Sequence, residues 1–291
     1  MDEKDWDVLL AVYEEKNVTL AAQKLFVSQP ALSYRLKQME EEFQIQIFVK
    51  GKKQILFTKE GESLVQYAKK MKVEHLKLKD RLAELKQQVS GELRLTVSSN
   101  FAEYELPDLL KSFHDRFPNV QLNVHTEWSV HAFERLANEE AHIGIIRGDY
   151  NWDDAKILLS EDEVCIVSKK EFSLADLPHL PRISHRSGPD TKKIIDQWWQ
   201  ENFTAPPHIS MEVGNVETCK KMVLKGLGYG ILPKYILKEA EMAEGLFLYP
   251  LTLSNGQPIL RKLWAFYREQ SLELSVVKAF VEFLKERSGI V

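Results

Sequence analysis

A helix, a three-residue break and a second helix near the N-terminus constrain the fold more than any other feature of the sequence. The stretch TLAAQKLFVSQPALSYRLKQMEEEF, residues 19–43, repeats small and apolar residues at helical spacing on both sides of VSQ. Asn17 and Thr19 provide stop and N-cap chemistry, so that Thr19 begins the first helix. Ser28 can cap the second, with Pro30 tolerated in its first turn because those amides have no helical acceptor. The pattern predicts a helix-turn-helix.

The second of these helices has two chemically different faces. Leu32, Leu36 and Met39 form an apolar face that is expected in the core. The other face carries amide, hydroxyl and charged groups, on Gln29, Ser33, Tyr34, Arg35 and Lys37. A helix that needed only solubility could have used any mixture of Glu and Lys. These groups therefore indicate that the helix reads something outside the protein.

Charge is concentrated around this motif and the segment that follows it. After Phe43 two short β-like segments, IQIFVK and QILFT, flank Lys50-Gly51-Lys52-Lys53, which predicts a hairpin wing with a basic tip. Residues 17–90 carry fourteen Lys or Arg against eight Asp or Glu, a net charge of +6, although the whole chain has −4. The imbalance indicates a polyanion as the partner of this part. Lysines can neutralise phosphates without reading any base.

A long helix is predicted from Gly61 to Val89. Its apolar residues recur at steps of four and three, which is a heptad seam: Leu64, Ala68, Met71, His75, Leu78, Leu82, Leu85 and Val89. One interpretation is a helix that lies on a core. Its length and its charged opposite face favour a dimerising helix instead. His75 is then a register-setting or snorkelling side chain in the seam.

From residue 91 the sequence alternates strand and helix patterns in two rounds, which predicts parallel-type α/β layers. Two rounds predict two lobes, hinged near 160–168 and again near 262–270. A small molecule is expected in the cleft between them, at the carboxyl ends of strands. The predicted divisions are a winged helix-turn-helix at 1–60, a linker helix at 61–90, and a two-lobed domain at 91–291 with lobe I at about 91–162 and 268–291 and lobe II at about 163–267.

Composition and spacing favour a cytoplasmic binding protein without cofactor or metal. The composition, 44% hydrophobic and 28% charged, is that of a globular protein, and no run approaches the roughly 18 apolar residues of a membrane span. The acidic start MDEKDWD has no signal-peptide h-region. Cys165 and Cys219 form no CxxC, and the His residues lack metal-ligand spacing. GLGYG follows a helix and precedes a strand, the reverse of a dinucleotide fingerprint, and no P-loop, GxSxG or HExxH motif occurs in the sequence.

Over essentially its whole length the sequence resembles the LysR-type transcriptional regulators. The resemblance is carried by AAQKLFVSQPALSYRLKQMEEEF, IFVKGKKQILFTKEGE, GELRLTVSS, LLKSFHDRFPNV, IGIIRG and GLGYGILP, of which the first is highly specific. It implies a winged helix-turn-helix joined by a linker helix to a periplasmic-binding-protein-like effector domain. It also implies homodimers that assemble to homotetramers on double-stranded promoter DNA, with RNA polymerase open as a further partner and no membrane partner.

The resemblance implies a DNA role for each polar side chain of the motif. Gln29, Ser33 and Tyr34 are expected to meet base edges in the major groove. Arg35 and Lys37 can reach a base or a phosphate, with phosphate favoured for Lys37. The docking register is assigned to residues of the helix ends and the wing, namely Thr19, Ser28, Pro30, Lys50, Lys52 and Lys53. A solvated helix face is the alternative interpretation.

A ligand pocket is implied at the ends of the first strands of the effector domain. Ser98, Ser99 and Asn100 form the polar turn that opens a helix in this family, and a helix N-terminus is a ready anion site. Ser129 matches a second such turn. The small residue usual beside it is replaced by Trp128, which either narrows the pocket or packs.

The segments RGDYNW and QPILRKLW resemble the citrate-responsive branch, in which arginines at matching positions hold a polycarboxylate. This implies ligand roles for Arg147 and Arg261. The alternative interpretations are an interdomain salt bridge and a structural role. Contacts from the second lobe are expected at Glu217 and Thr218, whereas Arg186 has no partner that the sequence justifies. The expected function is promoter binding modulated by citrate or another di- or tricarboxylate. An amino-acid, sulfur or aromatic ligand, or a metabolic enzyme, stays open.

Overall fold

The first unit begins with three capped helices. A computed structural model describes residues 1–50, 55–84, 89–243 and 245–289, in two units, Met1–Gln87 and Gln88–Val291. Helix α1 (Glu3–Glu15) starts with a capping box between Asp2 and Asp5. Helix α2 (Val18–Lys24) is capped by Asn17, so Thr19 lies inside its first turn and does not begin the helix. In α3 (Gln29–Phe43), Ser28 is the N-cap and Pro30 occupies the first turn, as predicted.

The core of the first unit lies on the predicted apolar face of α3. Leu32, Leu36 and Met39 are buried together with residues of α1 and α2, among them Leu9 and Ala22. Strands β1 (Phe48–Lys50) and β2 (Ile55–Phe57) pair in antiparallel fashion as the predicted hairpin. The tip, with Lys52 and Lys53, and the side chain of Lys50 lie outside the described residues.

Helix α4 (Lys59–Glu84) divides its apolar seam between two environments. Leu64 and Ala68 are buried in the core of their own unit, against the prediction that they belong to a dimer seam. His75 packs edge-on against Trp6 and lies 3.3 Å from Glu3, so it contacts α1. Further along, Leu78 and Leu82 are exposed, and position 85 lies outside the described residues. Among the described residues of the seam, Leu78 and Leu82 near the end of α4 are therefore the exposed ones.

The second unit contains nine strands and seven α-helices in its described residues. In chain order they are β3 (Gly91–Ser98), α5 (Ser99–Tyr104), α6 (Leu106–Arg116), β4 (Val120–Glu127), α7 (Ser129–Ala137), β5 (Ile143–Arg147), β6 (Lys156–Ser168), β7 (Arg182–His185), α8 (Pro189–Asn202), β8 (Ile209–Val213), α9 (Val216–Leu224), β9 (Gly230–Pro233), α10 (Glu239–Ala243), β10 (Phe247–Pro250), β11 (Leu260–Tyr267) and α11 (Ser275–Ser288).

One mixed sheet joins both lobes through the long strand β6. The order is β10-β6-β11-β5-β3-β4, with β9 also on β6. Only β3 with β4 and β5, and β7 with β8 in a separate ribbon, are parallel, so the expectation of parallel layers holds for part of the unit. Within β6, residues 156–163 pair with β11, and residues 164–168 pair with β9 and β10.

The strand β11 corrects the predicted limit of lobe II at 267. Its residues pair with β5 along Ile143–Arg147, so the whole strand belongs to the first lobe. We therefore define lobe I as residues 89–163 and 260–289, and lobe II as 164–259. Each lobe has a core of its own, around Phe113 and Phe280 in lobe I and around Trp198, Trp199 and Ile231 in lobe II.

Candidate functional site

The exposed face of α3 holds most of the predicted DNA-contacting residues. Ser28, Gln29 and Pro30 are exposed at the start of the helix. The Gln29 amide donates to the Ser33 hydroxyl at 2.8 Å, so one helical turn presents an amide and a hydroxyl side by side. Tyr34 is 63% exposed, and its hydroxyl accepts from Gln38. Lys37, also exposed, lies 3.5 Å from Glu41, and Thr19 is exposed on α2.

Arg35 is placed differently from its prediction. Its guanidinium Nη1 lies 2.5 Å from the Asp5 carboxylate and 3.4 Å from that of Asp2, the two residues of the α1 capping box. The side chain therefore lies along α1, where its charge is already paired. Its geometry gives no support to a base or phosphate contact.

The turn between α2 and α3 exposes an aromatic residue that the sequence pattern did not single out. Phe26 is 97% exposed and has a left-handed backbone with φ 55°. That conformation costs a non-glycine residue roughly 1–2 kcal/mol. Val27 beside it is also exposed. The turn thus presents an apolar surface next to the N-terminus of α3.

A cavity of about 440 Å³ lies between the two lobes. It is lined by the carboxyl end of β3, by Arg147 and Arg261 at the ends of neighbouring strands, and by the first turns of α5, α7, α8 and α9. Free amides in first helical turns carry partial positive charge. All eight residues predicted for the ligand line this one cavity: Ser98, Ser99, Asn100, Ser129, Arg147, Glu217, Thr218 and Arg261.

Two of these serines form a hydroxyl pair at the floor of the cavity. The Ser98 and Ser129 hydroxyl oxygens are 2.9 Å apart, and Ser98 also accepts the backbone N–H of Arg147 at 3.1 Å. Ser98 is buried and Ser129 is partly exposed. The Ser98 hydroxyl therefore orients Ser129 and the end of β5, and Ser129 is the more accessible of the two.

Arg147 and Arg261 lie next to each other, and each donates weakly to the backbone carbonyl of the other at 3.4 Å. The Arg147 guanidinium is 4% exposed, stacks 4.2 Å above the Tyr235 ring, and leaves its Nη2 without a hydrogen bond, although Glu105 is 3.5 Å away. Burial and the charge of Arg147 lower the pKa of Arg261. Within the described part of the chain, no carboxylate oxygen comes within 4.0 Å of Arg261.

The acidic groups around this pair neutralise it incompletely. Burial raises the pKa of Glu105 and of Asp162 despite the opposing charge of Arg147. Both carboxyl groups also have a buried oxygen without a hydrogen bond. The two arginines therefore give the cavity an excess of positive charge that a bound anion can compensate.

Glu217 lines the cavity, but its carboxylate already has partners within the protein. Its carboxylate accepts the Tyr104 hydroxyl and is paired with Lys220 at 3.1 Å and Lys221 at 3.4 Å. Burial would raise its pKa, but these hydrogen bonds outweigh burial and lower it, so the group stays ionised. Because Tyr104 is in lobe I, Glu217 joins the lobes. Thr218 is exposed beside it and donates its backbone N–H to Asn215.

Two further pairs cross the cleft. The Tyr150 hydroxyl donates to Asp190 at 3.1 Å, and the Arg186 guanidinium stacks 5.3 Å from the Trp128 ring. Arg186 thereby gains the partner that the sequence did not justify, and Trp128 packs at the rim. The sequence pattern missed Tyr104, Tyr150 and Asp190, since each depends on a partner more than 30 residues away.

In the described residues, no group of three or more His, Cys, Asp or Glu side chains could hold a metal ion. None of the described helices has the length and apolar character of a membrane span.

Family models match both units. The model for "Bacterial regulatory helix-turn-helix protein, lysR family" matches residues 4–62, and that for "LysR substrate binding domain" matches residues 86–289. The chain belongs to the LysR family of transcriptional regulators. This confirms the family prediction, the fold prediction and the expectation that the protein is not an enzyme, because members of the family are DNA-binding regulators.

Relatives of this LysR-type regulator match over its full length. The uncharacterized HTH-type transcriptional regulator YraN of Bacillus subtilis (strain 168) is 44% identical over 287 residues, 98% of each chain. YkuM of the same organism, also named an uncharacterized HTH-type transcriptional regulator, is 33% identical, over 98% of this chain and 97% of its own. Full-length CbnR, solved with its target DNA, has a TM-score of 0.66 at 17% identity and covers 99% of this chain and 100% of its own. At that identity the likeness shows the shared fold.

Proposed function

We propose that this LysR-type regulator reads promoter DNA with the exposed face of α3, and that a small di- or tricarboxylate such as citrate modulates this binding from the cavity between the lobes. The observation that carries the ligand proposal is the adjacent pair Arg147 and Arg261 on one cavity wall. Two adjacent guanidinium groups repel each other, and a ligand with two or more carboxylates compensates both charges.

The chemistry of the cavity supports a polycarboxylate in three ways. A guanidinium binds a carboxylate through two parallel hydrogen bonds, so two arginines match two carboxylates. Ser129, Ser99 and Asn100 add hydroxyl and amide groups for a third carboxylate or a hydroxyl. A volume of about 440 Å³ is suited to a small molecule. Amino-acid ligands are less well served. Asp190 and Glu217, the carboxylates on the lobe II wall, already have partners, and Glu103, the lobe I carboxylate of the lining, is exposed to solvent.

The regulatory step proposed is a change in assembly. Exposed Leu78 and Leu82, four residues apart on α4, support a helix pair that forms a dimer. Two dimers then form a tetramer that bends promoter DNA. Ligand binding closes the lobes and changes the angle between dimers, so the difference in affinity between bent and relaxed DNA is the output. CbnR, which shares the fold, has been solved on its target DNA.

The DNA proposal is tested with two variants of α3. Gln29→Ala removes an amide from the exposed face and should relax sequence preference at one base pair, by roughly 1–3 kcal/mol of discrimination. Lys37→Ala should weaken binding to all DNA alike and reduce the salt slope by about one. Affinities for a genomic promoter fragment and a scrambled fragment are measured at several salt concentrations. Equal losses on both fragments for Gln29→Ala would remove it from base readout.

The ligand proposal is tested with two neighbours on β11. Arg261→Gln should abolish thermal stabilisation of the full chain by citrate, whereas Lys262→Gln, which removes the same charge outside the cavity lining, should keep it. Arg147→Gln should behave like Arg261→Gln and leave DNA affinity intact. Malate, an amino acid and an aromatic acid are screened in parallel. Citrate stabilisation retained in both arginine variants would contradict the proposal.

A further inference from the structure

Lobe II contains a second cavity, of about 520 Å³, between the β7–β8 ribbon and helix α8. Its wall includes Arg182 and Ser184 of β7, Lys192 and Asp196 of α8, and Glu212 of β8. Neither the family resemblance nor the proposed function uses these residues. The cavity shares positions 185–187 and Ile231 with the cavity between the lobes, whereas Arg182, Lys192 and Asp196 do not line the cavity between the lobes. Arg182 and Asp196 also line a smaller neighbouring cavity, of about 300 Å³, beside Trp199.

Arg182 is a buried cation without an acceptor. It is only 8% exposed, and its buried Nε has no hydrogen-bond partner. In the part of the chain that the structure describes, no carboxylate oxygen lies within 4.0 Å of its guanidinium. Burial lowers its pKa, which shows that the charged form is disfavoured where it stands. Buried charges are ordinarily paired and hydrogen-bonded.

The backbone of Arg182 is held in the β7–β8 ribbon. The Arg182 N–H donates to the His208 carbonyl at 2.8 Å, and the Arg182 carbonyl accepts the Ser210 hydroxyl at 3.2 Å. The guanidinium stacks over the Trp199 ring at 5.7 Å. Arg182 is therefore held by its backbone and by the Trp199 ring, and within the described residues its guanidinium donates no side-chain hydrogen bond.

The remaining wall favours an anion. Lys192 and Arg186 add two positive charges, and Ser184 and Ser187 add hydroxyl groups. Lys192, Arg186 and the two acids, Asp196 and Glu212, are all exposed residues. Solvent screens these four charges more than the buried charge of Arg182, which therefore weighs most. His185 carries no charge near neutral pH, because burial and the neighbouring Arg182 lower its pKa to about 4.

We propose that this cavity is an accessory site for a small oxyanion, a carboxylate or phosphate group, bound by Arg182 with Lys192 at the rim. The guanidinium supplies the hydrogen bonds that its surroundings leave unused, and the ligand supplies the charge that the buried cation lacks. The site is separate from the one assigned to citrate, because the residues that carry it do not line the cavity between the lobes.

The test uses the full chain and two probes, inorganic phosphate and acetate, titrated calorimetrically at an ionic strength held constant with chloride. Lys192→Ala should weaken binding of the preferred probe by about threefold. Lys193→Ala removes the same charge from the next residue of α8, outside every described cavity lining, and should change nothing. Arg182→Gln should weaken binding by more than roughly tenfold. The probe that binds more tightly distinguishes a phosphate site from a carboxylate site.

Asp196→Asn distinguishes an anion site from a purely structural role of Arg182. If the cavity binds an anion, removing the acid from its wall should tighten binding by about threefold. If Asp196 instead serves as a loose partner of Arg182, the variant should lower stability and leave the probe isotherm unchanged. Isotherms that are the same for the native chain, Lys192→Ala and Arg182→Gln would overturn the proposal. Arg261→Gln should keep binding of the probe to this cavity. Failure of the accessory-site proposal is therefore distinguishable from failure of the citrate proposal.

Discussion

Replacing Gly61 with alanine tests how the wing is attached to helix α4. A Cβ at this position would lie 2.0 Å from the carbonyl oxygen of Ile47 and 2.8 Å from its carbonyl carbon. Ordinary carbon–oxygen contacts begin at about 3.3 Å, so one backbone must move by more than about 1 Å. Ile47 is fully buried, and the oxygen that must move accepts the Thr58 N–H at 3.0 Å and the Thr58 hydroxyl at 3.2 Å.

The size of the effect follows from these contacts. Loss of the Thr58 N–H bond costs about 1 kcal/mol, because the Thr58 hydroxyl keeps its shorter bond to the Gln46 carbonyl, and the remaining overlap adds about 1–3 kcal/mol. Alanine returns about 1 kcal/mol through its higher helix propensity. We therefore expect Gly61→Ala to lower the free energy of unfolding of the first unit by about 2 kcal/mol. Promoter affinity should fall with it, because the strand that leads into the wing is displaced.

The assay must report on the first unit alone. Trp6 is the only tryptophan in residues 1–87, so the fluorine signal of 5-fluorotryptophan at this position follows that unit in urea. With a denaturant slope of about 1.5 kcal/mol per molar, the midpoint should shift by about 1.3 M. Ser63→Ala, in the same turn of α4 at an exposed position, should stay within about 0.5 kcal/mol of the native chain. An unchanged midpoint in Gly61→Ala would refute the close approach of Gly61 to the Ile47 carbonyl.

Three other substitutions test individual contacts. Burial, and then the charge of Arg182, lower the pKa of His185 from 6.5 to about 4. Between pH 6.5 and pH 4 the unfolded chain therefore binds a proton at His185 and the folded chain does not, so stability is lost as pH falls. Urea titrations at pH 7 and pH 5 should show about 2 kcal/mol more loss in the native chain than in His185→Gln. Tyr104→Phe removes the bond to Glu217 and should destabilise the second unit by about 1–2 kcal/mol in urea unfolding, whereas the control Tyr249→Phe should have little effect. Arg35→Ala should leave promoter affinity within about twofold of native in a binding titration while costing under about 1 kcal/mol of stability; a large loss of affinity would restore Arg35 to the DNA-contacting set.

The features that could be predicted from sequence are those set by near neighbours. The capping role of Ser28 and the burial of Leu32, Leu36 and Met39 follow from helical periodicity within fifteen residues. The polar residues of the cavity were assigned largely from the resemblance to the LysR family, and they stand at strand ends and helix starts, which meet at one edge of a sheet.

Features that depend on distant partners could not be predicted from the sequence. Arg35 was assigned to DNA because helical spacing gives its direction but does not show Asp5, which lies 30 residues earlier. Glu217 was assigned to a ligand because Tyr104, 113 residues earlier, could not be identified as its partner. Leu64 and Ala68 fit a heptad seam as well as they fit a core, and only the packing of α4 on α1 decides between the two.

The pairing of the two arginines depends on strand register, which no local pattern specifies. Arg147 ends β5 directly opposite Leu263 of the antiparallel strand β11, and Arg261 is two residues from Leu263, on the same face of the sheet. A slip of one residue would send Arg261 to the opposite face and bury the wrong side of β11. Burial of Leu263 and Ala265 in the lobe I core fixes the register, so hydrophobic packing at one end of the strand brings the two guanidinium groups together at the other.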